Sequence, residues 1–208
     1  MAAPPENRRP IAARQAGWAQ RAASSLARAN VSPNMVSCVS VVFAALGAAL
    51  LLEWPNPFGL VLCAACVQAR LICNLLDGMI AVEGGRKTAL GPLYNELPDR
   101  IADSLFIAAL GYACGLPAWG WFGALAAALT AYVRVFGGAL GLRQDFRGPM
   151  AKQHRMAALT AACLAGALEQ FFLATHYALI GACLVIGVGS AITCATRTVA
   201  IARQLRAR

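Results

Sequence analysis

One stretch of this chain carries amide and carboxylate side chains at helical spacing inside a sequence that is otherwise rich in apolar residues. Its polar residues are Asn74, Asp77, Asn95, Asp99 and Asp103. Carboxylate and amide oxygens are the ligands that hard divalent cations such as Mg²⁺ prefer, and such a cation can polarise a phosphoryl group. Charged groups near hydrocarbon are costly and are usually functional. We therefore expect this stretch to do chemistry.

Helical periodicity sorts these polar residues onto two faces. Asn74 and Asp77 are three residues apart, and Asn95 and Asp99 are four apart, so each pair lies on one side of its own helix. The connection between the two helices carries Gly84, Gly85 and Gly91. Oxygen ligands beside glycines, which let a phosphate approach the backbone, indicate a metal and nucleotide-phosphate site. The alternative is a polar helix–helix contact in which Asn and Asp bond across the interface.

The overall composition places these residues in a membrane. Of the 208 residues, 59% are hydrophobic and only 13% are charged, and the mean hydropathy is +0.60, which is outside the range of ordinary soluble domains. The eight cysteines lie in apolar segments, singly or as Cys63-x-x-Cys66. They are expected in the core or facing lipid rather than in a disulfide framework or a zinc site. The sequence thus predicts an all-α integral membrane protein.

Six apolar runs are about as long as a bilayer-spanning helix, which needs about 20 residues. They cover residues 35–52, 58–82, 91–115, 117–138, 156–173 and 178–201. Lys and Arg collect before the first run, in the second and fourth connections and at the C terminus, whereas the connections near Pro55, Leu116 and His176 have none. Because cytoplasmic loops collect Lys and Arg, we expect both termini and the polar stretch to be cytoplasmic.

Residues 1–30 form an N-terminal segment ahead of a membrane domain that covers residues 31–208. Arg14, Arg21 and Arg28 recur every seven residues, with Trp18 on another face, which is typical of an amphipathic helix in the membrane interface. Two roles are open for it: an anchor alone, or control of lipid access to the site. The first thirty residues lack an apolar h-region, so we expect no cleavable signal peptide.

The net charge of +9 raises the alternative of a nucleic-acid partner. The cations form no separate soluble patch and have no aromatic residues interleaved with them, so no nucleic acid is expected. Anionic lipid headgroups or a phosphorylated substrate explain the charge better.

The spacing of the polar stretch resembles a family signature. The chain reads Asn74-x-x-Asp77-Gly78-x-x-Ala81, then nine residues, then Gly91-x-x-x-Asn95-x-x-x-Asp99. It resembles D-x-x-D-G-x-x-A-R, a short spacer and G-x-x-x-D-x-x-x-D, the signature of the CDP-alcohol phosphotransferase family, also called the CDP-alcohol phosphatidyltransferases. The segment Ser32-Pro33-Asn34 is similar to the one that commonly opens this family's six-helix membrane domain.

The resemblance implies an enzyme of phospholipid biosynthesis in a bacterial inner membrane. A hydroxyl acceptor attacks the phosphate of a CDP-alcohol, with CDP-diacylglycerol as the expected donor, and CMP leaves. The implied cofactor is Mg²⁺ or Mn²⁺, as one or two ions, and a homodimer is open. The implied base is Asp99. The implied metal ligands are Asn74, Asp77, Asn95 and Asp99. The implied nucleotide site comprises Asn74, Asp77, Gly78, Ala81 and Gly91. The implied acceptor site comprises Arg134, Lys152 and Arg155, for which positive-inside anchoring is the alternative.

Three positions depart from the signature. Asn74 and Asn95 stand where the pattern has Asp, and Val82 stands where it has Arg; Arg86 or Lys87 is a candidate replacement for that arginine. These departures raise the alternative of a pseudoenzyme that binds CDP-lipid without turnover. A small transporter whose intramembrane carboxylates carry ions is a separate alternative.

Charge makes two further predictions about the site. Only two carboxylates remain at the four signature positions, so we expect one tightly bound Mg²⁺ before nucleotide arrives, since close cations repel. Arg70 shares the face of Asp77, and Asp103 lies one turn deeper than Asp99. Because buried charges need partners, Arg70 and Asp103 are predicted to pair beneath the site.

Overall fold

The computed structural model describes residue 14, residues 16–82, residue 85 and residues 89–173 and 175–207. These residues form seven α-helices and no strand. The helices are α1 (Gly17–Arg28), α2 (Pro33–Glu53), α3 (Pro57–Val82), α4 (Gly91–Ala113), α5 (Pro117–Ala139), α6 (Lys152–Leu173) and α7 (Tyr177–Arg206). The all-α prediction is confirmed for the described part of the chain, and each of the six apolar runs corresponds to one of the helices α2 to α7.

Local sequence signals explain where several of these helices begin. Ser32 caps α2, its side chain accepting the backbone N–H of Met35 at 3.2 Å, and Pro33 follows at the first helical position. Proline also lies in the first turn of α4 and of α5. A proline there sacrifices no helical hydrogen bond, because the first N–H groups have no intrahelical partner. The carboxylate of Glu169 accepts the N–H groups of Tyr177 and Ala178 at the start of α7, at 2.6 and 2.8 Å.

Five of the described helices are long and apolar enough to cross a membrane: α2, α3, α5, α6 and α7. Helix α4 is as long as α5, with 23 residues, but it carries Glu96, Asp99, Arg100 and Asp103. These charges explain why α4 is not in that set. A sixth span formed by α4 therefore stays a prediction.

Helix packing closes the six long helices into a ring. Helix α2 packs along α3 and α4, α5 packs along α4 and α7, and α6 packs along α3 and α7. The interior is filled by apolar side chains that include Leu60, Phe106, Ile107, Leu159 and Leu179. Helices α3 and α4 both pack along α2, and each carries part of the polar stretch.

The short helix α1 lies against the segment of α3 that carries Asp77. Ala19 and Ala23 are buried and belong to a cluster with Met79 and Ile80 of α3. The N-terminal helix is therefore present, while its place in the membrane interface stays a prediction. The residues before Arg14 lie outside the described part of the chain.

Candidate active site

Asp99 lies buried on α4, where side chains from three helices meet. Arg70 Nη2 of α3 lies 3.2 Å from Asp99 Oδ1, and Asn74 Nδ2 donates to the same oxygen at 3.0 Å. Lys152 Nζ, at the start of α6, donates to Oδ2. The polar faces of α3 and α4 therefore meet, and Asn74 and Asp99 bond across the interface as in the polar-contact alternative. Lys152 is an additional partner, 53 residues away in sequence.

A second carboxylate is enclosed between two arginines one turn deeper on α4. Arg70 Nη2 donates to Asp103 Oδ1 at 2.8 Å, and Arg155 Nη2 donates to Asp103 Oδ2 at 2.7 Å. The three side chains are 0%, 1% and 4% exposed for Arg70, Arg155 and Asp103. Charges this deeply buried are tolerated only when they are paired. The predicted pair of Arg70 and Asp103 is confirmed.

Asp77 occupies a different environment, because its partner is a hydroxyl group. Ser37 Oγ of α2 donates to Asp77 Oδ2 at 2.6 Å, and both residues are buried. The sequence analysis did not identify Ser37, since α2 reads as a purely apolar span. The signal available in the sequence was the pair Ser37 and Ser40, spaced one turn apart within that span.

Arg134 lies at the rim of the site and connects three segments. Its Nη2 lies 2.5 Å from Glu96 Oε1 of α4, and its Nη1 donates to Gln144 Oε1 at 2.8 Å. The guanidinium stands 5.3 Å from the ring centre of Phe146, which is within the range of a cation–π contact. Arg134 therefore holds the segment between α5 and α6 against the first turns of α4.

The remaining predicted site residues lie around this network. Gly78 and Ala81 are partly buried on α3 near Asp77, and Gly91 is partly buried at the start of α4. Asn95 is exposed one turn before Asp99, so the structure does not bring its side chain into the Asp99 network. Two further candidates, Arg86 and Lys87, lie outside the described residues.

The donor set suits a hard divalent ion. Asp77 and Asp99 provide carboxylate oxygens from two helices, and the amide of Asn74 lies beside Asp99, which is the ligand chemistry of Mg²⁺ and Mn²⁺. In the part of the chain that the structure describes, no three His, Cys, Asp or Glu side chains gather into a metal-binding group. The residues present therefore fit a site built from two carboxylates and amide oxygens.

Comparison with known proteins gives one curated relative and several solved structures. No protein-family model matches the chain. The archaetidylinositol phosphate synthase of Aeropyrum pernix is 33% identical over 195 residues, which are 92% of this chain and 94% of the relative. The crystal structure of Mycobacterium tuberculosis phosphatidylinositol phosphate synthase with CDP-DAG bound has a TM-score of 0.74 at 22% identity, covering 89% of this chain and 94% of that one. The same protein in complex with manganese and citrate gives 0.73 at 22% identity, covering 88% of each chain.

The fold and the site define an integral membrane protein with a ring of apolar helices and a cluster of carboxylates and cations at one end. The solved structures show that the fold is shared. The identity to the curated relative extends over nearly the whole chain, and it shows that this protein belongs to the CDP-alcohol phosphatidyltransferase family. It is therefore a membrane-bound transferase of phospholipid biosynthesis.

Proposed function

We propose that the protein transfers a phosphatidyl group, or another substituted phosphate, from a CDP-alcohol to a hydroxyl acceptor with release of CMP. CDP-diacylglycerol is the proposed donor, in line with the CDP-DAG held by the mycobacterial neighbour. The observation that carries the proposal is the Asp99 network, in which a signature carboxylate stands among Arg70, Asn74 and Lys152 at the end of the ring.

In the proposed reaction, Asp99 acts as the general base. The acceptor hydroxyl oxygen forms a new bond to the donor phosphorus, its proton passes to the Asp99 carboxylate, and the bond to the CMP oxygen breaks with its electron pair on CMP. Arg70 and Lys152 contact the two oxygens of the Asp99 carboxylate and hold it in position. Asn74 orients the same carboxylate through its N–H group.

Asp77 and Asp99, with the amide oxygens of Asn74 and Asn95, are the residues proposed to hold Mg²⁺ or Mn²⁺, as one or two ions. The bound cation would supply charge neutralisation for the diphosphate. Gly78, Ala81 and Gly91 have little or no side chain, and their proposed role is to leave room for the nucleotide beside Asn74 and Asp77.

The proposed acceptor is a polyol that carries a phosphate group. Arg134 at the rim and Lys152 beside Asp99 present positive charge to the opening of the site, with side chains 14% and 26% exposed. Arg155 is 1% exposed and holds Asp103, so its proposed contribution is to support the acceptor site from beneath. The name of the archaeal relative, a synthase of an inositol phosphate lipid, supports an acceptor of this class.

The proposed setting is the bacterial inner membrane, with the site at the cytoplasmic face and α4 as a sixth span. Residues 1–30 are proposed as the interfacial segment and residues 31–208 as the catalytic domain. The cation-rich end of the ring supports this orientation, because cytoplasmic loops collect Lys and Arg.

The test is CMP release by the purified protein in lipid nanodiscs. CDP-diacylglycerol and Mg²⁺ are supplied with inositol phosphate, glycerol phosphate or unphosphorylated inositol. We expect release with a phosphorylated acceptor and a loss of about 100-fold or more in Asp99→Asn, whose amide cannot accept the proton. Asp145→Asn, the same change in the segment between α5 and α6, is the matched control and should retain activity.

Two outcomes would contradict the proposal. Undiminished CMP release by Asp99→Asn would remove Asp99 from the mechanism. Binding of CDP-diacylglycerol without CMP release in the presence of any acceptor would instead favour a non-catalytic CDP-lipid-binding protein. Asn74 and Asn95 raise this alternative, because they stand where the family signature has Asp.

A further inference from the structure

The rim of the site holds a carboxylate that the proposed mechanism does not use. Glu96 lies on α4, three residues before Asp99. Its Oε1 lies 2.5 Å from Arg134 Nη2 of α5, and its Oε2 lies 3.9 Å from Arg100 Nη1, one turn further along α4. Glu96 therefore stands between two arginines, one on a neighbouring helix and one on its own.

The contact with Glu96 occupies the part of Arg134 that an acceptor phosphate would need. Nη2 faces Glu96, and Nη1 donates to Gln144 Oε1 at 2.8 Å. A guanidinium group binds carboxylates and phosphates with the same fork of N–H donors. A phosphate that reached Arg134 would also stand close to the Glu96 carboxylate, and like charges at short range repel. The two anions therefore compete for one cation.

The surroundings of Glu96 allow its carboxylate to leave Arg134. Its side chain is 34% exposed, whereas that of Asp103, deeper on the same helix, is 4% exposed. Glu and Arg four residues apart are neighbours on one helix surface, so Arg100 is a second partner within reach. Arg100 points Nη1 towards Glu96 and Nη2 towards Asp99 Oδ2, the latter at 3.6 Å. Glu96 thus stays paired when its contact with Arg134 breaks.

We propose that Glu96 is a specificity-determining residue for the acceptor. It pairs with Arg134 before the acceptor binds, and it yields that arginine to the phosphate group of the acceptor by moving to Arg100. An unphosphorylated polyol leaves the ion pair closed. This inference rests on the proposed function in treating Arg134 as part of the acceptor site, and it adds Glu96 and Arg100 to that site.

Arg134 keeps its place without this ion pair. Gln144 and the ring of Phe146 still contact the guanidinium group. The segment that carries them is fixed to α7, where the N–H of Met150 donates to Thr193 Oγ1 at 2.9 Å. Removing the carboxylate should therefore strengthen phosphate binding at Arg134 rather than abolish it.

The test is a calorimetric titration of the purified chain, in phosphatidylcholine nanodiscs, with inorganic phosphate and with inositol phosphate. Glu96→Gln should bind both about fivefold more tightly than wild type, which is the upper end for exposed ion pairs. Arg134→Gln should bind both more weakly. Adding Glu96→Gln to that variant should give no gain, because Glu96 acts through Arg134. Glu53→Gln removes the same charge from the exposed end of α2, away from the site, and is the matched control.

Two results with these ligands would overturn the inference. One is equal affinity in Glu96→Gln and wild type, including no binding by either. The other is weaker binding by Glu96→Gln, because Glu96 would then hold Arg134 in place for the phosphate instead of competing with it.

Two further ligands separate the acceptor from the donor. Neither unphosphorylated inositol nor CDP-diacylglycerol should bind more tightly to Glu96→Gln than to wild type. A gain for CDP-diacylglycerol equal to that for inositol phosphate would assign Arg134 to the donor and overturn the inference. None of these titrations needs turnover, so the expected affinities without any CMP release would contradict the proposed function and leave this inference standing.

Discussion

Ser37 holds Asp77 in place although it belongs to a helix with a long apolar surface. Its Oγ donates to Asp77 Oδ2 at 2.6 Å, and the two residues are 4% and 6% exposed. Buried carboxylate oxygens need hydrogen-bond donors. Ser37 is thus a positioning residue for Asp77, one of the proposed metal ligands.

Replacing Ser37 by alanine should weaken metal binding. Ser37→Ala leaves Asp77 Oδ2 without its hydroxyl donor, at a cost of about 1–3 kcal/mol, and should lower both the Mn²⁺ affinity and the rate of CMP release. Ser40→Ala is the matched control: its hydroxyl is also buried but donates to the carbonyl oxygen of Ser37 at 2.6 Å. A Mn²⁺ titration that finds equal losses in both variants would show that Ser37 has no specific role.

At the scale of whole helices, two glycines set how closely α4 and α5 approach. A Cβ atom added to Gly111 would lie 2.5 Å from the Cα of Gly120 and 2.9 Å from the carbonyl oxygen of Leu116. Backbone atoms on both sides leave no room for a side chain. Gly111 is eight residues beyond Asp103 on the same helix, about 12 Å along its axis, so this contact helps fix the position of the site.

Gly111→Ala should therefore destabilise the fold, by about 1–3 kcal/mol as is usual for overpacking. Gly181→Ala is the matched control, because a Cβ there meets nothing within 4 Å and alanine favours a helix by up to about 1 kcal/mol over glycine. Thermal unfolding in detergent measures both. A melting temperature that falls equally in the two variants would mean that the close approach of α4 and α5 does not require glycine at position 111.

Across the whole molecule, charge is distributed unevenly between the two ends of the ring. Arg134, Lys152 and Arg155 lie at the end that holds Asp99, and α7 ends there with Arg203 and Arg206 in its last turn. The opposite end is fixed by neutral and acidic groups, as in the bond from Gln170 Nε2 to the carbonyl oxygen of Pro55 at 2.8 Å. This asymmetry predicts that the end of the ring that holds Asp99 faces the cytoplasm.

Reporter fusions check that orientation. Green fluorescent protein fused after Ala207 should fluoresce, because the C terminus is predicted to be cytoplasmic, and alkaline phosphatase at the same position should be inactive. Alkaline phosphatase fused after His176, at the opposite end, should be active. The reverse pattern would place the site on the other side of the membrane.

Much of the fold and part of the site could be read from the sequence. Apolar runs and their proline and glycine boundaries located the helices, and helical spacing placed Asn74 on the side of α3 that meets Asp99. The pair of Arg70 and Asp103 followed from the need to compensate two buried charges. Ser37 stands out in the sequence only as a polar residue within α2, and no spacing within α2 shows which side chain of α3 it faces.

What the sequence by itself determined is local: the length and apolar character of each helix, and the residues that share a face, because both follow from the period of the α-helix. The tertiary structure decided which faces meet. Arg155 reaches Asp103 across 52 positions of sequence, and Lys152 reaches Asp99 across 53. Both contacts depend on the packing of α6 against α3 and α7 in the ring. Sequence spacing could assign Lys152 and Arg155 only as basic residues near an acceptor, whereas packing places their charges on the carboxylates.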